Sequence, residues 1–312
     1  MADRFTIVGL GEALFDVFPD RDPPEVLGGA PLNVAVHAHQ LALGRGGRGV
    51  VVSRIGQDNL GRQLLEALAQ RGMTTDFLQS DPDRSTGQVY VDTTDPHDPQ
   101  YDIAAHVAWD WLQFDPDAES LARGCQAVCF GTLAQREAQT RNAIMRFLEV
   151  AQRAIRLFDV NLRQHYYDHR ILRRSCEYAT AAKLNHRELE IVNRELGIDA
   201  PPLDSAEAVD QQAMALLRKF KLKQVFVTRG EQGMTAYTAS GPIVGEPANY
   251  APVQGADGVG AGDAASAGVL VGLLLRWPLE RIVTLANHAG AFVHGQRGAT
   301  PALPQSILDM VK

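Results

Sequence analysis

The sequence predicts a doubly wound α/β fold with a mostly parallel sheet, on three observations. Short apolar runs rich in β-branched residues recur along the chain: FTIVGL, VVVSRIG, AVCFG, IRLFDVN, AAKLN and QVFVTRG. Helical patterns lie between most of them, the order expected of parallel strands joined by crossovers. Polar and glycine-rich pieces collect where strands end, the edge at which ligands bind such sheets. With 312 residues, 45% of them hydrophobic, the chain can fold as one α/β domain over 1–312.

FTIVGL opens the sheet as a buried strand ending at Gly9 and Gly11. GGAPLNVAVHAHQLALG follows as an Ala/Val/Leu helix, with Pro31 near its start and Gly44 closing it. VVVSRIG is a second buried strand, and DNLGRQLLEALAQRG an amphipathic helix starting at Asp58. From about Asp81 to Asp110 the rhythm changes. GQVYVDTT and QYDIAA read as short strands around the turn DPHDPQ, with no helix between them. With the segment after Asp16, this excursion is expected to form a small β lid over about 12–28 and 84–108. Alternation resumes with the strand AVCFG, the helix EAQTRNAIMRFLEVAQR, the strand IRLFDVN, a helix to about Thr180 and the strand AAKLN. Two helices, HRELEIVNREL and AEAVDQQAMALLRKF, precede the strand QVFVTRG and the hairpin-like GMTAYT and GPIVGE. The chain ends mainly helical, from Asp263 to Arg276 and from Leu279 to about Gly295.

The stretch DGVGAGDAASAGVLVGLLLR carries the chemistry. The helix after Asp263 is apolar nearly all round, so it is expected to be buried and its N-terminus rigidly placed. Gly260, Ala261 and Gly262 leave the N–H groups of that end open to an anion at the positive end of the helix dipole. Asp263 reads either as a helix cap or as a proton acceptor beside a phosphate. The dipole favours its anion, which predicts a pKa at or below the ordinary carboxylate range.

Other chemistries find no support. A formal net charge of −7 gives no basic footprint for nucleic acid or an anionic membrane. No Gly-Lys-Ser/Thr of a Walker loop occurs, and in GLGEAL Leu14 replaces the third glycine of a dinucleotide fingerprint. His37 and His39 fall on opposite sides of a helix; His165 and His169 read as surface or capping groups. The three cysteines, Cys125, Cys129 and Cys176, lack ligand spacing and are expected to be buried thiols of a reducing, cytoplasmic compartment. LVGLLL is too short for a membrane span, and the N-terminus lacks the apolar core of a signal peptide.

The motif series resembles that of the ribokinase-like (PfkB) carbohydrate kinases. Asp257-Gly258-Val259-Gly260-Ala261-Gly262-Asp263 resembles their DTxGAGD motif, with Gly258 at the usual Thr and Ala265 where an aromatic is common. GGAPLN, FDVNLR, KLNHRE, VTRGEQG and ANHAGAFV resemble further motifs in the same order. GGAPLN and GEALFD are most similar to the fructokinase branch, although QYDIAAHVAWDWL lacks the FYR-like element common there.

The resemblance implies a ribokinase-like fold and transfer of the γ-phosphate of ATP to a sugar hydroxymethyl. Asp263 would be the base, with Gly260, Ala261 and Gly262 as the anion hole. Asp16 and Asn33 would bind sugar hydroxyls, and Gly28 and Gly29 would let the sugar approach the backbone. Arg163 would face sugar and phosphate, or pair locally with a carboxylate. Asn185 and Glu188, spaced i to i+3 and expected on one helix face, would organise Mg²⁺ and its waters. Thr228, Gly230 and Gly233 would border the nucleotide, and Asn287 would lie by its adenine or ribose. Asp257 would hold a monovalent cation, K⁺. Fructose is the first candidate substrate, then 2-keto-3-deoxygluconate, whose carboxylate Arg163 would meet, then ribose or a nucleoside. A sugar-binding homologue without turnover is the alternative of another class. Pairing of lids implies a homodimer.

Overall fold

The computed structural model describes residues 5–19, 24–92 and 100–312. Most of the expected turn DPHDPQ, and parts of both expected lid segments, lie outside the described residues. The chain runs β1 (Thr6–Leu10), β2 (Leu14–Val17), β3 (Glu25–Gly28), α1 (Ala30–Ala42), β4 (Arg48–Gly56), α2 (Asn59–Gln70), β5 (Leu78–Asp81), β6 (Gly87–Asp92) and β7 (Gln100–Ile103). It continues through α3 (Pro116–Gly124), β8 (Ala127–Phe130), α4 (Ala138–Val150), β9 (Ile155–Asp159), α5 (His169–Tyr178), β10 (Ala181–Asn185), α6 (His186–Glu195), α7 (Ala206–Phe220) and β11 (Gln224–Thr228). The last elements are β12 (Met234–Thr238), β13 (Gly241–Val244), α8 (Ala261–Leu274), α9 (Leu279–His294) and α10 (Gln305–Asp309).

Nine strands form the main sheet in the order β13-β12-β11-β10-β9-β8-β1-β4-β5. All neighbours from β11 to β5 are parallel; β12 and β13 join antiparallel at one edge. Side chains alternate between two cores, as the two-residue period of a strand requires. Val8, Val128, Phe158 and Val227 pack among α3 to α7, whereas Ile7, Cys129, Leu157 and Phe226 pack among α1, α8 and α9. The order reverses beside β1, where β4 continues one way and β8 the other, which opens a crevice at the carboxyl ends. A second sheet, β3-β2-β6-β7, is formed by the segments expected to leave the α/β body.

Several boundaries differ from the sequence expectation. β2 includes Asp16, so a strand runs through the start of the expected lid segment. α1 ends at Ala42, and a short 3-10 turn carries the chain to Gly46. β5, with the polar sequence LQSD at the sheet edge, and the short α3 and α10 had no strong hydrophobic signal to mark them. α8 begins at Ala261 with Gly260 as its cap residue, so Asp263 sits in the first turn and caps nothing.

Candidate active site

A cavity of about 270 Å³ lies at the carboxyl ends of β1, β8 and β9, between the small sheet and the start of α8. The small sheet gives it an apolar wall, with Leu14, Val89, Val91 and Ile103. Asp16 joins it from β2 of the same sheet, and the opposite, polar wall brings together Gly29, Asn33, Arg163, Asp257 and the run Gly258 to Asp263. Gly28 adjoins it: a Cβ there would collide with the Asp16 carboxylate, so the glycine lets that group lie against the chain.

The loop before α8 is shaped by two left-handed glycines. Gly258 has φ 68° and Gly260 φ 80°, a region that favours glycine. A side chain at Gly258 would approach His294 Nδ1 to 2.8 Å, and one at Gly260 would strike the Ala299 carbonyl. The positive φ accounts for Gly258 where the related motif carries Thr, and a side chain there would also displace the exposed His294 ring. Asp257 ties the loop down, its carboxylate accepting from Val259 N (3.1 Å) and Gly298 N (2.9 Å). Ala261 N makes a long contact of 3.5 Å to the Gly258 carbonyl, whereas the next N–H groups of α8, on Gly262 and Asp263, have no carbonyl one turn back, and no side chain caps them. They open on the cavity, which both residues line.

Asp263 is 8% exposed, and Asn33 Nδ2 donates to its Oδ2 at 2.8 Å. Its pKa is pushed up to about 6, first by burial and then by the negative charge of Asp159. The Asn33 hydrogen bond and the charges of Lys183 and Arg163 oppose the rise. The expectation of a lowered value is therefore overturned. It weighed the helix dipole alone, and loss of water outweighs the dipole when a carboxylate is this deeply buried.

Four further side chains belong to this site, although none was singled out as a site residue from the sequence. Lys183 and Asp159 are register partners on β10 and β9, and their buried ion pair has contacts of 2.9 and 3.0 Å. Ser266 Oγ donates to Asp159 Oδ2 at 2.6 Å, which joins the pair to α8. Lys183 Nζ lies 3.4 Å from where a Cβ at Gly262 would stand, so the ammonium reaches the anion hole. Glu12 is 3% exposed, lines the cavity and keeps Oε2 without a hydrogen-bond partner among the described residues. Burial raises its pKa to about 7, and the charge of Asp263 adds to the rise. The usable signals were opposite charges inside two successive apolar strands, and an acid immediately after a strand-ending glycine.

The remaining site candidates form a second rim along the same sheet edge, outside the cavity. Asn185 does not share a helix face with Glu188; it is the cap residue of α6. Its side chain accepts from Glu188 N (2.9 Å), while Glu188 Oε2 accepts from Asn185 N (2.8 Å). Glu188 Oε1 accepts from Leu162 N at 2.8 Å, next to Arg163. Burial raises the Glu188 pKa. Thr228 is the register partner of Asn185. The turn after it holds Gly230 and Gly233, and Gly233 lies against the Asn287 side chain. Asn287 accepts from Met234 N (2.8 Å) and donates to Glu246 O (2.9 Å), so its amide staples β12 to α9.

The histidines behave as expected for structural groups. His37 Nε2 is 2.9 Å from Ala299 O, and burial lowers its pKa to about 4. No metal-ligand cluster of His, Cys, Asp or Glu occurs among the described residues, where the three cysteines are free and buried. No described helix is long and apolar enough to cross a membrane.

Comparison with known proteins places this geometry. The model of the pfkB family carbohydrate kinases matches residues 21–306. A fructokinase of Klebsiella pneumoniae is 28% identical over 310 residues, covering 95% of both chains. Among solved structures, a Vibrio cholerae fructokinase double mutant bound to fructose, ADP and potassium superposes with TM-score 0.80 at 23% identity, covering 99% of this chain and 98% of that one. A 2-dehydro-3-deoxygluconokinase of Thermotoga maritima superposes with TM-score 0.81 at 20% identity, covering 99% and 97%. The two structures establish the ribokinase-like fold, and the family match spans most of the sequence. The chain therefore belongs to the pfkB family and is an ATP-dependent carbohydrate kinase.

Proposed function

We propose that this kinase phosphorylates the hydroxymethyl group of a neutral sugar, fructose first, with Asp263 as general base. The observation that carries the reading is Asp263 itself. It is buried, oriented by Asn33, and set in the uncapped first turn of α8, one residue beyond the open N–H of Gly262. A carboxylate with a pKa of about 6 is mostly ionised at neutral pH, yet more basic than an ordinary aspartate. It accepts the hydroxymethyl proton as that oxygen attacks the γ-phosphorus and the bond to ADP breaks. The N–H groups of Gly260, Ala261 and Gly262 and the Lys183 ammonium stabilise charge on the transferring group.

Cavity charge favours a neutral substrate. Four carboxylates, Glu12, Asp16, Asp257 and Asp263, face it, against the cations Arg163 and Lys183. Lys183 is already paired with Asp159. Fructose bound to the Vibrio cholerae relative, and the name of the Klebsiella pneumoniae relative, support fructose. Arg163 on the cavity wall is what favours 2-keto-3-deoxygluconate as the second reading. Asp16, Asn33 and the free oxygen of Glu12 would bind sugar hydroxyls, and the small sheet would close over them as a lid.

Mg²⁺ fits the second rim. Glu188 offers hard carboxylate oxygens whose remaining lone pairs can accept hydrogen bonds from metal-bound waters. The ion would neutralise charge on the phosphates, with Asn185, Thr228, Gly230, Gly233 and Asn287 bordering the nucleotide. Asp257 is the candidate K⁺ ligand, in keeping with the potassium of the Vibrio cholerae structure. Tyr90, 46% exposed on β6, supports a homodimer paired through the small sheets. We place the enzyme in the cytoplasm on its buried free thiols.

The test is ATP consumption across fructose, 2-keto-3-deoxygluconate, ribose and nucleosides, wild type beside Asp263→Asn. Turnover restricted to the acid sugar would replace the neutral-sugar reading. Sugar and ATP binding without any turnover would make the chain a non-catalytic homologue.

A further inference from the structure

We propose that the groove between α4 and α5 is a second anion site, built for a phosphorylated small molecule and separate from the Asp263 cavity. The groove encloses about 590 Å³, within the range of small-molecule sites and larger than the catalytic cavity, with which it shares no lining residue. Arg141 and Arg146 of α4 and Arg170 and Arg174 of α5 converge on it.

Their surroundings set these arginines apart. The exposed Arg123 and Arg173 each pair with a carboxylate one helical turn away, Glu119 and Glu177. Among the described residues, none of the four groove guanidiniums has such a partner, in a chain with 37 acidic and 30 basic residues. One carboxylate, Glu149, stands on the groove wall against the four guanidiniums; it accepts from the Tyr178 hydroxyl at 2.6 Å, to which Arg174 Nη2 donates at 3.4 Å, and makes no ion-pair contact with any of the four. Arg146 lies over the Phe114 ring at 4.8 Å and Arg174 over Tyr178 at 5.3 Å, contacts that hold the cations without cancelling their charge. Arg141 donates to the Gln135 carbonyl at 2.9 Å.

Like charges gathered in one concave site repel each other unless an anion joins them. Guanidinium forks match the oxygens of a phosphate, often two bonds at a time. The volume exceeds what inorganic phosphate fills, and Phe114 supplies an apolar surface for an organic body. A phosphomonoester or diphosphate of a small molecule fits both features.

The experiment is calorimetric titration of the full-length protein, its nucleotide site saturated with ADP, using pyrophosphate, a hexose monophosphate and AMP as probes. The expected result is an additional site for at least one probe that weakens as salt rises. In Arg146→Gln/Arg170→Gln that affinity should fall by about tenfold or more, with kcat and the ATP KM unchanged. Both arginines are exposed, so the fold should tolerate the change. Absence of binding by all three probes, or binding equal in the double variant, would overturn the proposal. So would a change in sedimentation of the variant without a change in anion binding, which would make the groove a contact between copies.

Discussion

Helix N-termini in this molecule are finished in two ways. α2, α3, α5, α6 and α7 are closed by their own side chains: Asp58, Asp115, Asp168, Asn185 and Ser205 each accept a first-turn N–H. α1, α4, α8, α9 and α10 have no side-chain cap; two of these, α1 and α8, start from glycines, Gly29 and Gly260, and reach the catalytic cavity. A cap typically stabilises by about 1 kcal/mol, so the uncapped start of α8 forgoes that stability and keeps the N–H groups of Gly262 and Asp263 available. These two glycine-started helices also meet there, through Asn33 of α1 and Asp263 of α8. The glycine start, rather than the missing cap alone, marks the two helices of the catalytic cavity.

The largest effect that would break this contrast is loss of the base. Asp263→Asn keeps the shape and the Asn33 contact, and kcat should fall by about 10²- to 10⁴-fold. Next, Gly260→Ser would place a capping residue on α8. With φ at 80° and the Ala299 carbonyl in the way, it should cost about 1–3 kcal/mol in a urea titration and lower kcat at least tenfold.

The buried base also sets a stability effect. The folded-state pKa of Asp263 is about 6 against an ordinary 3.8, so ionisation opposes folding. That penalty is absent below about pH 4, grows as pH rises through 6, and is constant above, at about 3 kcal/mol. Asp263→Asn should therefore be more stable than wild type at pH 8, with the advantage gone at pH 4, as thermal melts at both pH values would read. Asn33→Ala should act the opposite way on the base. Removing the donor to Oδ2 raises the Asp263 pKa further, moving the acid limb of the kcat profile to higher pH. Smallest is the control at a closed helix: Asp168→Ala should cost about 1 kcal/mol and leave kcat unchanged.

How far the sequence foretold this follows from where each signal resides. The parallel strands were legible because buried strands are continuous apolar runs, and α8 because it is apolar on every side. The nest was legible because its residues are contiguous, Gly260 to Asp263. Lys183 and Asp159 were not, since 24 residues separate them and only strand register makes them partners. Glu12 escaped because one acid beside a glycine has no pattern until burial gives it one. The direction of the Asp263 pKa needed the environment: the dipole is local and readable, whereas burial and the Asp159 charge come from tertiary packing. Gly258 became intelligible only through its backbone angle and the His294 ring beside it.

The most direct test of the central claim is the pH dependence of kcat with fructose and ATP. The expected result is an acid limb near pH 6 in the wild type and its disappearance in the residual activity of Asp263→Asn. A limb near pH 4, or one that persists in Asp263→Asn at a similar rate, would contradict Asp263 as the buried base.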